Sequence, residues 1–204
     1  MIAITALVLA SGVGLFVALH GHTASRASTE GIAATTPSTT QDGRDLSQIS
    51  NEEMESVIAS NPDVVPMRLA LVERYLKAAD DETTADGQRA QLDRAHFHAG
   101  EAAARATNDA DAARALRYLG WTTALLTDPT KGAGLVEQSL EKEPGNPDGL
   151  WFLASIKFSK LNDAAGARPL LEQLLATPID DTQRQSVQSL LDKVNATLSS
   201  SASS

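Results

Sequence analysis

The stretch NPDGLWFLASIKFSKLNDA, from Asn146 to Ala164, combines a helix-starting signal with an apolar run. Its first triplet, Asn-Pro-Asp, also stands at residues 61–63, ahead of a second apolar run, VVPMRLALVERYL. Proline does not continue a preceding helix, and aspartate is favourable near a helix N-terminus. We therefore expect the triplet to end one helix with its proline and to begin the next helix at or beside its aspartate. Two copies of the triplet predict an internal repeat, with a boundary between neighbouring units (a seam) at each copy.

Large and small residues recur around these seams at the offsets typical of tetratricopeptide (TPR) repeats, helix–turn–helix units of about 34 residues. In the last copy these positions are Trp151, Ala154, Ser155, Phe158, Ala167, Leu171, Leu174 and the closing Pro178. In the middle copy they are Leu116, Leu119, Gly120, Thr123, Gly132, Val136, Ser139 and the closing Pro144. In the first copy they are Arg68, Leu71, Val72 and Tyr75, followed by a long turn and a helix over Arg94–Ala106. Small residues suit places where two helices cross closely, and large residues fill the spaces beside them.

The predicted fold is all-α, with about eight helices between Leu46 and Leu198, because turn signals there separate apolar helical segments and no segment alternates with a period of two. We expect a TPR-type right-handed superhelix of about three repeats over residues 46–198, closed by a polar-backed capping helix over Asp181–Leu198. The alternative is a generic helical bundle. Residues 199–204, SSSASS, are predicted to be a disordered tail.

The N-terminal part of the chain predicts a membrane anchor and a tether. Ile2–Leu19 contains no charged residue over 18 positions, which as a helix spans roughly 27 Å. We expect residues 1–20 to form a transmembrane anchor, with a cleaved signal peptide as the alternative. Residues 21–45 are rich in Ser and Thr and predict a disordered linker. The anchor is expected to be single-pass; Arg26 and Arg44 follow the span, which by the positive-inside rule weakly favours a cytoplasmic C-terminal part.

Composition and charge exclude several classes of function. The net charge of −9 argues against nucleic-acid binding, which needs a cationic face. No cysteine is present, so disulfides and thiol chemistry are excluded. His96 and His98 stand two residues apart within a predicted helix, hence on opposite sides of it, and do not chelate one ion. We expect no catalytic residue, no metal site and no cofactor.

The repeat register predicts a groove for a protein or peptide client, lined by the first helix of each unit. The predicted groove residues are Leu69, Glu73, Lys77, Arg114, Arg117, Trp121, Leu125, Phe152, Ile156 and Lys160. Apolar anchors ringed by Arg and Lys suit an extended peptide or an amphipathic helix with acidic groups or a C-terminal carboxylate. The alternative is that Trp121 or Phe152 packs between neighbouring units. Trp151 is expected in the core.

The segments MESVIASNPDVVPMRLALVERYLKAADD, ALRYLGWTTALL and NPDGLWFLASIKFSKLNDAAGARPLLEQLL resemble those of the membrane-anchored TPR proteins of bacterial c-type cytochrome biogenesis. The likeness covers about residues 50–176. It implies a tethered extracytoplasmic TPR domain that acts as an apocytochrome chaperone and holds the C-terminal helix of apocytochrome c. It implies no catalytic residue. The departures are an insertion around residues 80–87 and the absence of a basic segment before the apolar run. The alternative function is a general TPR scaffold of a cell-envelope complex for secretion or wall synthesis.

Overall fold

A computed structural model describes residues 46–202. A 3-10 turn at Leu46–Gln48 precedes eight α-helices in this part of the chain: α1 (Asn51–Ser60), α2 (Val65–Asp81), α3 (Ala85–Arg105), α4 (Asp109–Leu126), α5 (Pro129–Lys142), α6 (Pro147–Ser159), α7 (Ala164–Leu175) and α8 (Asp181–Ser201). The all-α prediction is confirmed for these residues.

The predicted anchor at residues 1–20 and the predicted linker at residues 21–45 lie outside the described residues. Between residues 46 and 202, no helix is long and apolar enough to cross a membrane. The last helix, α8, continues to Ser201, three residues past the predicted boundary at Leu198.

Local sequence explains where the helices begin. Every helix except α2 follows a polar residue whose side chain accepts a hydrogen bond from a backbone N–H of the first turn, which satisfies one of the four free N–H groups there. These residues are Ser50, Thr84, Asn108, Asp128, Asn146, Asp163 and Asp180. Helix α2 instead carries a proline, Pro66, in its first turn, where no intrahelical N–H bond is lost.

The helices pack in sequence order. The pairs α2/α3, α4/α5 and α6/α7 each share an extended contact, and α8 packs on α7. In addition α2 contacts α4, and α4 contacts α6, so the first helices of the three pairs lie side by side. Short connections between consecutive helices make each pair run antiparallel. One apolar core runs from Leu46 to Val194 through these contacts.

The closest helix crossing in the middle pair uses two glycines. A Cβ placed on Gly120 of α4 would lie 2.7 Å from the carbonyl oxygen of Gly132 on α5, and one on Gly132 would lie 2.5 Å from the carbonyl oxygen of Gly120. Backbone therefore meets backbone here with no room for a methyl group. The prediction that these two small residues mark a crossing of two helices is confirmed.

The long turn predicted after the first copy is wrong. Helix α2 runs on to Asp81 and α3 already begins at Ala85, so only residues 82–84 connect them. The cause is a helix start hidden in the polar run: the Thr84 hydroxyl oxygen accepts the Gly87 N–H at 3.1 Å, and Asp86 lies in the first turn. The insertion around residues 80–87 therefore lengthens two helices and leaves a short connection.

The two Asn-Pro-Asp triplets differ in role, which corrects the expectation of one common seam. At the first copy α1 ends at Ser60, directly before the triplet, and α2 begins only at Val65. At the second copy Asn146 caps α6 by accepting the Gly149 N–H at 3.1 Å, and Pro147 is the first residue of the helix. Proline therefore follows a helix end at the first triplet and opens a helix at the second.

This difference predicts unequal effects of one substitution at the two triplets. Asn146→Ala removes the side chain that caps α6, so we expect it to lower the free energy of unfolding by about 1 kcal/mol. Asn61→Ala, the matched change at the first triplet, removes an exposed side chain that starts no helix and is expected to cost less than about 0.5 kcal/mol. Urea denaturation of both variants measures the difference, and equal losses would contradict the assigned roles.

Candidate functional site

The candidate site is the surface where α2, α4 and α6 lie side by side, here called the α2–α4–α6 face. Its polar centre is Glu73 of α2, whose Oε1 accepts hydrogen bonds from the Arg114 guanidinium and, at 2.7 Å, from the Tyr118 hydroxyl, both on α4. The side chains of Glu73 and Arg114 are 37% and 30% exposed, so a partner can reach both. Neighbouring first helices are thus joined by an accessible ion pair.

The environment of this centre favours the charged pair and a neutral phenol. Burial alone lowers the pKa of Arg114, but the Glu73 carboxylate outweighs it and raises that pKa above its ordinary value. Burial, and then the Glu73 charge, raise the pKa of Tyr118, so its hydroxyl stays a donor to Glu73. Because the ion pair is partly exposed, we expect it to contribute only about 1 kcal/mol or less to stability. Its accessible charges are available for recognition.

Aromatic rings underlie the charged centre and connect α4 with α6. The ring of Trp121 stacks on that of Phe152 with centroids 4.8 Å apart and planes 12° from parallel. The ring of Tyr118 lies 6.3 Å from that of Phe152. Trp121 is 6% exposed and Phe152 is fully buried. Such stacked pairs add about 0.5–1.5 kcal/mol beyond the area they bury, so these rings hold the face together from below.

Arg117 is a residue of α4, but its side chain is buried against the connection between α5 and α6 and does not lie on the open face. It is 4% exposed, lies 5.6 Å from the Tyr118 ring centroid, and pairs with Glu143 at 3.2 Å and Asp148 at 3.9 Å. The first triplet has a comparable contact, because buried Arg68 donates from Nε to the Pro62 carbonyl oxygen at 2.9 Å. A buried guanidinium therefore supports each Asn-Pro-Asp triplet.

The ten residues predicted to line the groove are divided by the structure into three groups. Five are buried and present no surface to a partner: Leu69, Arg117, Trp121, Phe152 and Ile156. Three are half-buried: Glu73, Arg114 and Leu125. Two are exposed: Lys77 and Lys160. For these five residues the expectation of an open groove lining is corrected, because their side chains are buried within the core or, for Arg117, against Glu143 and Asp148.

The alternative assignment for the aromatic residues is confirmed: Trp121 and Phe152 pack against each other between α4 and α6. Trp151 is 3% exposed and lies in the core, as expected. The residue that the sequence analysis missed is Tyr118. It stands four residues after Arg114 and therefore on the same stripe of α4, a signal that the predicted helix already contained.

A second polar cluster joins α1, α2 and α3. Oε1 of Glu55 on α1 lies 2.9 Å from the Tyr75 hydroxyl of α2 and 2.9 Å from Nε2 of His98 on α3. The ring of His98 stacks on that of Tyr75 at 5.8 Å. Nδ1 of His96 instead lies 3.1 Å from the Thr122 hydroxyl oxygen of α4. The two histidines thus face different helices, as the spacing predicted.

Within residues 46–202, no group of three or more His, Asp or Glu side chains is arranged to hold a metal ion. No family model matches the chain, and no curated protein or solved structure matches it. The surface chemistry of the α2–α4–α6 face is therefore the basis for a functional proposal.

Proposed function

We propose that this chain is a membrane-tethered TPR-type module that binds a segment of a client protein on the α2–α4–α6 face. The observation that carries the proposal is the partly exposed Glu73–Arg114 pair, which joins the first helices of two successive pairs. Both side chains are accessible. Each can therefore release the other and instead bind a group of opposite charge on a partner.

The architecture supports a TPR-type assignment within this proposal. Three helix pairs follow one another, their first helices are neighbours, and the middle pair crosses at Gly120 and Gly132, the small positions of the repeat register. Helical repeats stacked in this way present an extended surface suited to binding a polypeptide. The buried rings beneath the face make it rigid, which lowers the entropy cost of binding.

The proposed client is the C-terminal helix of an unfolded c-type cytochrome, the partner implied by the family resemblance. The apolar run at Ile2–Leu19 is proposed to tether the domain to a membrane on the extracytoplasmic side. A general scaffold role in a cell-envelope complex would use the same face with a different protein segment, and the partner identified below distinguishes the two.

Calorimetric titration of the full chain in a mild detergent with a synthetic apocytochrome c C-terminal peptide tests this function. We expect a micromolar or tighter Kd, about −8 kcal/mol, and no binding of a scrambled peptide. Arg114→Gln removes the accessible charge while Tyr118 still donates to Glu73, and it should weaken binding about tenfold or more. The matched control is Arg168→Gln on α7, an exposed arginine paired with Glu172, which should bind as the wild type does.

Photo-crosslinking in native membranes then tests the client. A photoreactive residue at position 77, exposed on α2 one turn beyond Glu73, should capture the partner, and the same residue at position 168 should not. Capture of a c-type cytochrome supports the chaperone role. A folded wild type that fails to bind the peptide and captures a secretion or wall-synthesis protein would replace that role with the scaffold. Equal capture at both positions would contradict the assignment of the face.

A further inference from the structure

Helix α1 and the turn before it dock on α2 and α3 through two kinds of contact. Its apolar residues are inserted into the core, with Met54 fully buried and Ile58 6% exposed. The Glu55 carboxylate of α1 lies between the Tyr75 hydroxyl of α2 and His98 Nε2 of α3, at 2.9 Å from each. The body of α1 is therefore held by apolar packing and by a carboxylate contact to one buried histidine.

The chain before α1 is fastened separately. Arg74 of α2 donates to the carbonyl oxygens of Leu46 at 2.7 Å and Ile49 at 2.6 Å, and to the side-chain oxygen of Asn51 at 2.9 Å. A guanidinium stays charged throughout the physiological pH range. The Arg74 contacts therefore hold the start of α1 equally well at every pH considered below.

The surroundings of His98 suit a neutral imidazole. The residue is 2% exposed, and Nε2–H donates to Glu55, which leaves Nδ1 as a buried acceptor with no hydrogen-bond partner. A proton on Nδ1 would be a buried donor without an acceptor, which is costly. The charged groups around it are Glu55 from α1, Arg68 from α2 and Glu101 from α3 itself. Arg68 is 3% exposed and adds positive charge beside the ring.

We propose that Glu55, Tyr75 and His98 form a pH-sensitive latch that docks α1 at neutral pH and loosens it as the solution becomes mildly acidic. Undocking α1 takes Glu55 away from His98 and opens the imidazole to water, so the proton is accepted more readily in the open state. Acidification thus favours the open state, in which the core positions of Met54 and Ile58 become accessible. The Arg74 contacts keep the loosened helix near its seat.

The direction of the pH effect follows from burial. Burial is the largest influence on His98 and, although Glu55 opposes it, lowers the pKa of the ring below its ordinary 6.5. The docked state therefore binds fewer protons than the open state. Docking is fully stable above about pH 6.5 and weakens as the pH falls from there towards the lowered pKa. The opening equilibrium constant rises by up to about tenfold for each unit by which the His98 pKa differs between the open and docked states.

Hydrogen-exchange mass spectrometry on the full chain in detergent measures this opening at about pH 7.5 and about pH 5.0, roughly one unit above and roughly one and a half units below the ordinary histidine pKa. After correction for intrinsic exchange rates, the protection factors of α1 should fall several-fold at the lower pH, and those of α7, which is remote from both histidines, should not change. His98→Gln keeps a donor for Glu55 without a titrating ring, so its α1 protection should be independent of pH. Tyr75→Phe retains His98 and should keep the pH dependence.

Unchanged α1 protection in the wild type would overturn the latch, and so would an equal fall in α1 and α7. A fall of the same size in His98→Gln would also overturn it. Partial burial and Asp81 raise the pKa of Asp80 to about 6, but Asp80 is common to all variants and so cancels in the comparison. Should His98→Gln not fold, an NMR titration of the wild-type His98 ring decides the matter: a pKa below 6.5 is required, and one at or above 6.5 rejects the proposal.

Discussion

Replacing Trp121 by alanine is expected to lower the free energy of unfolding by about 3–5 kcal/mol, the usual cost of removing a large aromatic side chain from a core. The indole is 6% exposed and stacks on fully buried Phe152, so the change leaves a cavity between α4 and α6 and removes a ring contact. Domains of this size are stable by about 5–15 kcal/mol, so the loss is a large fraction of the total.

Urea denaturation followed by circular dichroism measures this loss as a lower midpoint with an unchanged slope. Phe97→Ala on α3 is the control: that ring is 57% exposed and meets the His98 ring edge-on with centroids 5.2 Å apart, so its removal should cost about 1 kcal/mol or less. A Trp121→Ala protein as stable as the wild type would contradict a packing role for the indole and would favour its assignment to the binding groove.

Binding tests on this protein therefore need substitutions on the accessible residues of the face. Loss of partner capture in Trp121→Ala or Arg117→Ala would be ambiguous, because both side chains are buried and hold helices together. Removing Arg117 also leaves the carboxylates of Glu143 and Asp148 without their shared cation. Arg114 and Lys77 are accessible and do not carry this ambiguity.

The helices could be predicted from the sequence because their start signals are local. Ser50, Asn108 and Asp163, for example, each cap a helix through a backbone N–H only three residues further on. The exception shows the limit of such signals. The polar run at residues 80–87 contains both a helix end and a helix start, and Thr84 with Gly87 decides the boundary within it.

The orientation of α6 could not be predicted, because the helix is apolar on every side. All residues from Gly149 to Ile156 are buried, so no polar stripe distinguishes a groove side from a core side. The prediction that Phe152 and Ile156 line the groove therefore rests on the repeat register alone. The burial of Arg117 was hidden for another reason: its partners stand 26 and 31 residues further along the chain, at Glu143 and Asp148.

The Gly120–Gly132 crossing provides the sharpest test of helix packing in this fold. Gly120→Ala puts a methyl group within 2.7 Å of the Gly132 carbonyl oxygen and of a Val136 methyl carbon. Because backbone cannot give way as a flexible side chain does, α4 and α5 must separate, and we expect a loss of about 1–3 kcal/mol or more.

Gly134→Ala, two residues along from Gly132 on the same helix, is the matched control and is expected to have the opposite sign. A Cβ at Gly134 would meet no atom within 4 Å, and alanine is the better helix former, so the variant should gain about 0.5–1 kcal/mol. Thermal and urea unfolding of the two variants measure the pair. Because the two changes are chemically identical and propensity alone would make both stabilising, a stabilised Gly120→Ala protein would mean that α4 and α5 do not cross at this point. Losses of similar size in both variants would instead place Gly134 against another part of the protein.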